Sequence, residues 1–287
     1  MANLKEIRSR ITSVGSTMQI TSAMKMVSAA KLKRAQDAIT QMRPYANKLT
    51  DLLESLSANL DSSEGGVYTQ KRIIKNVLLV VITSNRGLCG GFNAYIIKKA
   101  KNLINKKYTN TNISILSIGK KSSEHFDKNG FNVVGKHDEL YSALNFDSVA
   151  KVAENIMGQF VGGEYDEVVL VYNQFKNAAT QIIMSENFLP VQPPNKQEIQ
   201  QGDYIFEPTK QEIVEQLIPK SLKTQLFKAI LDSHAAEHGA RMTAMHKATD
   251  NAGELKKELT LTYNKARQAA ITGEILEIVG GAEALNG

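Results

Sequence analysis

Near the start of the chain, apolar residues recur at Leu4, Ile7, Ile11, Val14 and Met18, in steps of three and four. That 3.5-residue period marks a helix seam that packs along a second helix. After Met18 the pattern predicts a phase slip, with Ile20, Met24 and Val27 as the next apolar positions. The three–four spacing resumes at Ala46, Leu49, Leu53, Leu56 and Leu60. A helix over residues 3–60 would be about 85 Å long at 1.5 Å per residue, far beyond a usual globular helix. Pro44 removes one backbone donor inside it and is expected to kink it.

The far end of the chain repeats the design with Met245, Ala248, Ala252, Leu255, Leu259, Thr262, Ala266 and Ala269. Half of these are alanine, so two helix backbones could approach closely. No proline interrupts residues 221–285, whereas Gly239, Gly253 and Gly273 do. Each costs about 1 kcal/mol relative to alanine, so a helix that persists through them needs a partner along its length. Two seams at opposite ends of one chain predict an antiparallel coiled coil.

Between the seams the period changes. Residues 76–84, 112–119 and 131–137 read as strands, and residues 94–107, 120–130 and 146–163 as helices, the last closed by Gly162 and Gly163. Residues 166–177 and 179–190 read as a hairpin, and 191–208 as a polar loop with two adjacent prolines. Alternating strands and helices predict a Rossmann-like sheet domain, parallel or mixed. The expected fold is thus α/β plus a long antiparallel coiled coil of the N- and C-terminal helices. Its parts are an N-terminal coiled-coil helix (1–60), an α/β domain (75–190) and a C-terminal coiled-coil helix (210–287).

Composition narrows the picture. Tryptophan is absent and aromatics make up 6%, so the core must be mostly aliphatic. The single Cys89 excludes an internal disulfide. The longest apolar run, residues 77–82, is far short of the roughly 20 residues of a membrane span. The net charge of +6 is uneven. Residues 1–50 hold nine basic and two acidic residues, residues 210–287 ten of each, which assigns the basic excess to the first helix alone. A solvated face is one reading of such an excess; nucleic acid is a second, against which stands the lack of a stacking platform; an acidic protein surface, which a localised basic patch fits, is the third.

Two motifs invite chemistry. The loop "NRGLCGGFN" (85–93) joins a strand to a helix, where mononucleotide folds bind phosphate. A Walker loop would need a lysine after its second glycine, but Phe92 stands in that glycine's place. In "SIGKKSS" the first glycine falls on Ser114 and the hydroxyl position on Lys121. The dinucleotide fingerprint fails at Cys89. A tight turn with close backbone packing is the favoured reading. "HAAEH" (234–238) matches a zinc-hydrolase string, yet both histidines fall in phase with the Met245 seam and point to a helix contact. No catalytic residue, metal site or cofactor site is expected.

Three longer blocks carry a resemblance. "QITSAMKMVSAAKLKRAQ" (19–36), "ITSNRGLCGGFN" (82–93) and the stretch from "ARMTAMHKATDNAGELKKEL" to "GGAEAL" (240–285) resemble the gamma subunit of the rotary F-type ATP synthase, bacterial type. Asn85 stands where that family commonly has aspartate, and "SHAAEHGARM" varies its usual "SEHAARM". The resemblance implies a central rotor shaft that couples ion flow to ATP synthesis, with the catalytic residues on the beta subunits. Its partners would be the alpha and beta subunits of the hexameric head, the epsilon subunit and the c-subunit ring. Membrane association would be through partners only, at the cytoplasmic face of a bacterial inner membrane. By family motif, Met24, Lys31, Lys33 and Arg34, with Arg267, Gln268, Thr272 and Glu274, would meet the head.

Overall fold

The computed structural model describes residues 4–57, 67–70, 72–191 and 210–286. Its elements are α1 (Leu4–Ser57), β1 (Asn76–Ile82), α2 (Phe92–Lys106), β2 (Asn112–Ile118), α3 (Lys120–Lys128), β3 (Asn132–Lys136), a 3-10 turn (Glu139–Tyr141), α4 (Phe146–Val161), β4 (Glu167–Phe175), β5 (Gln181–Leu189) and α5 (Lys210–Asn286). They form two compact units: Ser28–Arg241, and Met1–Val27 with Met242–Gly287.

The larger unit is built on a five-stranded sheet in the order β3-β2-β1-β4-β5. β1 pairs in parallel with β2 and β4, and β2 in parallel with β3. β5 closes the edge as an antiparallel hairpin partner of β4. The hairpin turns at Asn177, whose side-chain oxygen accepts the N–H groups of Ala179 and Thr180 at 3.0 and 2.7 Å, a local bond that asparagine is suited to make. β1 is apolar at every position from Val77 to Ile82 because helices cover both of its faces. Leu78, Val80 and Ile82 point toward α4 and the part of α5 around Leu222 and Leu226, with Ile156 and Phe160. Val77, Leu79 and Val81 point the other way, toward Ile96 and Ala100 of α2 and Phe126 of α3. The expected mixed, doubly covered sheet is what forms. α4 starts where Asn145 accepts the Ser148 N–H at 2.8 Å, an N-cap.

Gly119 shows why one glycine is fixed. It sits at φ +100°, and a methyl group there would lie 2.1 Å from the Thr83 carbonyl oxygen. Gly239 of α5 is similarly pressed against the β4–β5 turn, its missing Cβ 3.2 Å from Ala178. The helix accepts the propensity loss because only a bare backbone passes there.

In the smaller unit the two chain ends run antiparallel. Thr21 Oγ1 lies 2.8 Å from Thr249 Oγ1. A methyl on Gly253 would lie 3.8 Å from Met18 Sδ, and one on Gly15 3.7 Å from Lys256 Nζ. As the number falls along α1 it rises along α5, in one register. By that register Leu4 falls opposite the turn around Arg267, beyond which no described residue of α1 accompanies α5.

Two details of the seams differ from the sequence expectation. α1 has no phase slip. Ile20 and Val27 are 60% and 58% exposed, while Thr21 and Ser28 are buried. The seam runs on in threes and fours through Thr21, Lys25, Ser28, Leu32, Ala35 and Ile39 to Ala46 and Leu49. Short polar residues, Thr21 and Ser28, hold two of these positions and Lys25 a third, so apolar spacing alone reads as a slip. On α5, Met245, Ala248, Ala252, Leu259 and Ala266 keep at least partial cover, but from Leu255 onward the positions between them shift by one residue. Thr249, Lys256 and Tyr263 are at least partly covered, whereas Leu255, Thr262 and Ala269 are exposed. Lys256 takes a seam position with the end of its side chain over Gly15, whose missing side chain leaves the room. Leu60 lies outside the described residues, as do the side chains of Leu53 and Leu56 and residues 192–208 of the predicted loop.

Candidate functional site

The glycine loop after β1 sits at the point where strand order reverses, the place at which open α/β sheets bind ligands. Here the protein fills that place with its own groups. The first three N–H groups of α3 are each taken: Lys120 by Asn85 Oδ1 at 3.0 Å, Lys121 by the Ser84 carbonyl at 3.1 Å, and Ser122 by Thr83 Oγ1 at 2.9 Å. Asn85 Nδ2 donates at 2.8 Å to the Asp138 carbonyl, a bond that an aspartate could not make. Asn93 accepts the Ser84 N–H at 3.0 Å. The N–H donors at the α3 end of this cleft are therefore spent. The loop carbonyls of Arg86 and Gly87 accept from the guanidinium of Arg241, at 3.0 Å for Arg86. A loop that presents carbonyl oxygens to a cation is the electrostatic opposite of a phosphate cradle. Leu88 at φ 61° and Gly90 at φ 60° form the tight turn, and buried Cys89 packs beneath it with its thiol pKa raised by burial.

Arg241 belongs to a polar strip of α5 that the sequence did not reveal as a unit. Its Nη1 donates at 2.6 Å to Glu237, and both side chains are 9% exposed. His234 and His238 are hydrogen-bonded Nε2 to Nε2 at 3.1 Å, and Tyr141 stacks on His234. With Arg241 facing His238 Nδ1 at 3.4 Å, the neutral His238 ring keeps its proton on Nε2 and donates to His234. Burial, then the charges of Lys31 and Arg241, lower His234 to about 4; burial, His234, Arg241 and Lys31 lower His238 to about 3. Burial raises the Glu237 pKa against the opposing pull of Arg241. A zinc reading of "HAAEH" does not fit: its glutamate is bound to an arginine, two cations face its histidines, and no group of three or more ligands assembles among the described residues. Nearby, Asp232 is fully buried and accepts from Arg43 Nη2 at 3.3 Å, an arginine that also reaches the Phe175 carbonyl.

The helix surfaces hold the residues singled out for partner contact. Met24 is half-buried on α1, and Lys31, Lys33 and Arg34 are exposed. Lys33 makes an exposed pair with Asp37 at 2.9 Å, which is worth little in water. Arg267, Gln268, Thr272 and Glu274 are exposed on the unpaired end of α5. Met24 belongs to the same unit as these four, and Lys31, Lys33 and Arg34 to the sheet unit. Lys31 has a second role missed in the sequence: its charge bears on the buried histidines. Beyond Arg267 the surface is strongly apolar, with Ile271, Ile275, Leu276, Ile278 and Val279 between 47% and 72% exposed. Ile20, Met26 and Val27 form a second exposed apolar group on α1. Among the described residues nothing covers either group.

No helix among the described residues is long and apolar enough to cross a membrane. The family described as ATP synthase matches residues 3–285. The ATP synthase gamma chain of Flavobacterium johnsoniae is 64% identical over the whole of both chains. A chain of the Tetrahymena thermophila mitochondrial ATP synthase central stalk and c-ring is 27% identical, with a TM-score of 0.60, over 80% of this chain and 99% of that one. A rotor chain of the Euglena gracilis mitochondrial ATP synthase has the same fold at 21% identity and a TM-score of 0.68, over 93% and 98%. The nucleic-acid alternative finds no support in these relationships. Sequence, seam register and sheet order agree from end to end: the chain belongs to the gamma-chain family of ATP synthases, the central rotor shaft of that machine.

Proposed function

We propose that the antiparallel helices form an axle that carries torque between the membrane c-ring and the catalytic head, and that the sheet domain is its foot. The N-terminal helix (1–60) and the C-terminal helix (210–287) are the shaft, and residues 75–190 bind the epsilon subunit and the ring. The head is made of alpha and beta subunits, and ATP chemistry resides on beta. Met24, Lys31, Lys33 and Arg34 meet an acidic loop of beta, and Arg267, Gln268, Thr272 and Glu274 meet the head around the tip. The complex lies on the cytoplasmic face of a bacterial inner membrane, to which this chain is bound through its partners.

One observation carries the proposal: the single register of Gly15, Met18 and Thr21 against Lys256, Gly253 and Thr249. Two helices locked side chain to side chain resist twisting past each other as one helix of about 115 Å could not. The exposed apolar end of α5 adds support, because a bare stretch of isoleucine, leucine and valine in water is unfavourable at about 25 cal/mol per Å², and a surrounding apolar sleeve removes that cost.

The test is co-purification with alpha and beta followed by an ATPase assay. The chain should bind the head, and ATP turnover should require alpha and beta. Calorimetry should find at most weak ATP binding to the isolated chain. Failure to associate with alpha and beta, or ATP hydrolysis by the isolated chain, would refute the proposal.

A further inference from the structure

The count by chain segment assigned the basic excess to α1 alone, but the fold shows a second concentration. Between Phe92 and Lys136 the sequence carries nine lysines, no arginine and only Glu124 and Asp127 as acids. α2 and α3 cover the same sheet face, and Lys101 of α2 lies close enough to His125 of α3 for its charge to add to burial in lowering that imidazole's pKa. Four of the nine lysines are neutralised locally: Lys107 by Glu167, Lys120 and Lys121 by Glu124, and Lys136 by Asp127. Lys98, Lys99, Lys101, Lys106 and Lys128 have no ion pair among the described residues, and all five are exposed or half-buried. Like charges on one face repel one another, a cost partly offset where Lys128 also acts on Glu124 and one that an anionic partner would remove.

We infer that the α2–α3 face is a docking surface for an acidic protein surface, held through Lys98, Lys101, Lys106 and Lys128. The chemistry of the face selects that partner. The apolar side of α2, Phe92, Ile96 and Ala100, is spent on the sheet, so a bilayer would be offered charge with no apolar anchor. Stable attachment to a bilayer takes two signals. Nucleic acid would call for arginine forks and several stacking rings. Tyr95 is the exposed aromatic of α2, and no arginine occurs from Gly87 to Ala240. Lysines are mobile point charges; opposite a field of carboxylates they steer encounter and tolerate several registers. The inference rests on the proposed function only in placing the chain inside an assembled complex.

The experiment compares the isolated full chain with the purified complex, in which the chain's presence is first verified by its mass; its absence there would strike the proposed function rather than this inference. A carbodiimide, which joins an amine to a touching carboxylate, is applied to the complex, and acetylation rates of individual lysines are measured in both samples. Links from Lys98, Lys101, Lys106 or Lys128 to Asp or Glu of another subunit are expected, with acetylation of these lysines slowed about tenfold in the complex. Charge reversal by Lys98→Glu and Lys101→Glu should slow incorporation about tenfold at low salt and have little effect at high salt, where screening is strong. Equal acetylation in both samples, protection without a cross-link, or links only to the chain's own carboxylates would each overturn it.

Discussion

Thr21 of α1 and Thr249 of α5 meet hydroxyl to hydroxyl at 2.8 Å within the helix seam. Each hydroxyl also lies within reach of a carbonyl of its own helix, Thr21 of Met18 at 3.1 Å and Thr249 of Met245 at 2.8 Å; with one proton apiece, one threonine donates across the seam and the other to its own helix. Glycines at positions 15 and 253 flank the contact, so the helices approach closely on short side chains and a polar contact fixes their register. Thr249→Val should cost about 1 kcal/mol by removing the hydrogen bond across the seam. The double change Thr21→Val with Thr249→Val should cost less than the sum of the two singles. Urea unfolding followed by far-ultraviolet circular dichroism measures both; strict additivity would mean that the pair is not coupled.

The glycines of the β1 loop region should differ sharply. Gly119→Ala places a methyl on the Thr83 carbonyl at a positive φ and should destabilise by about 3 kcal/mol or more. Gly87→Ala meets nothing within 4 Å and should change stability by less than about 1 kcal/mol. Denaturant midpoints of the two variants settle the difference, and comparable losses would show that the loop is constrained by something other than packing.

Arg241 holds the loop to α5 and neutralises Glu237. Arg241→Met removes both and leaves a buried carboxylate unpaired, a loss of about 3–5 kcal/mol. Adding Glu237→Gln should restore part of it. If the second change restores no stability, the ion pair is not what the arginine supplies.

Acid should find the histidine pair. The folded-state pKa values of His234 and His238, about 4 and about 3, lie below the ordinary histidine value near 6.5. The unfolded chain therefore binds more protons, and this stability is present above about pH 6.5 and lost as pH falls toward 4 and below. Asp232 and Glu237, whose pKa values burial raises, act in the opposite sense, so the informative quantity is the difference from a variant. His234→Phe with His238→Leu should flatten the decline between pH 6.5 and 4. Parallel stability curves for the variant and the parent would exclude the pair as its source.

The shaft surface should govern coupling rather than folding. Met24→Lys places a cation on the half-buried α1 surface beside Lys25 and should strengthen its grip on an acidic loop of the head. The expected result is retained ATP hydrolysis with fewer protons moved per ATP, and an unchanged midpoint for the isolated chain. At the other end, Ile275→Asp with Leu276→Asp alters residues that are 54% and 66% exposed; it should leave the isolated chain folded and weaken co-purification with the head. Equal pumping, or undiminished binding, would count against each in turn.

Much of this molecule was legible from one dimension because periodicity is a backbone property. Strand alternation and the three–four helix spacing follow from local geometry, so β1, the β4–β5 hairpin and the two terminal seams could be read directly. Phase was a different matter. Whether Leu255 or Lys256 faces α1 depends on Gly15 across the seam, and whether Ile20 or Thr21 does depends on how closely the two backbones lie. Those distances are set by the partner helix, which lies more than two hundred residues away in the chain. The same reason kept Arg241 apart from the carbonyls of Arg86 and Gly87, and split the lysine face of α2 and α3 into unremarked stretches. Local sequence fixes which way each side chain turns from its own axis; only the packed structure decides what stands opposite.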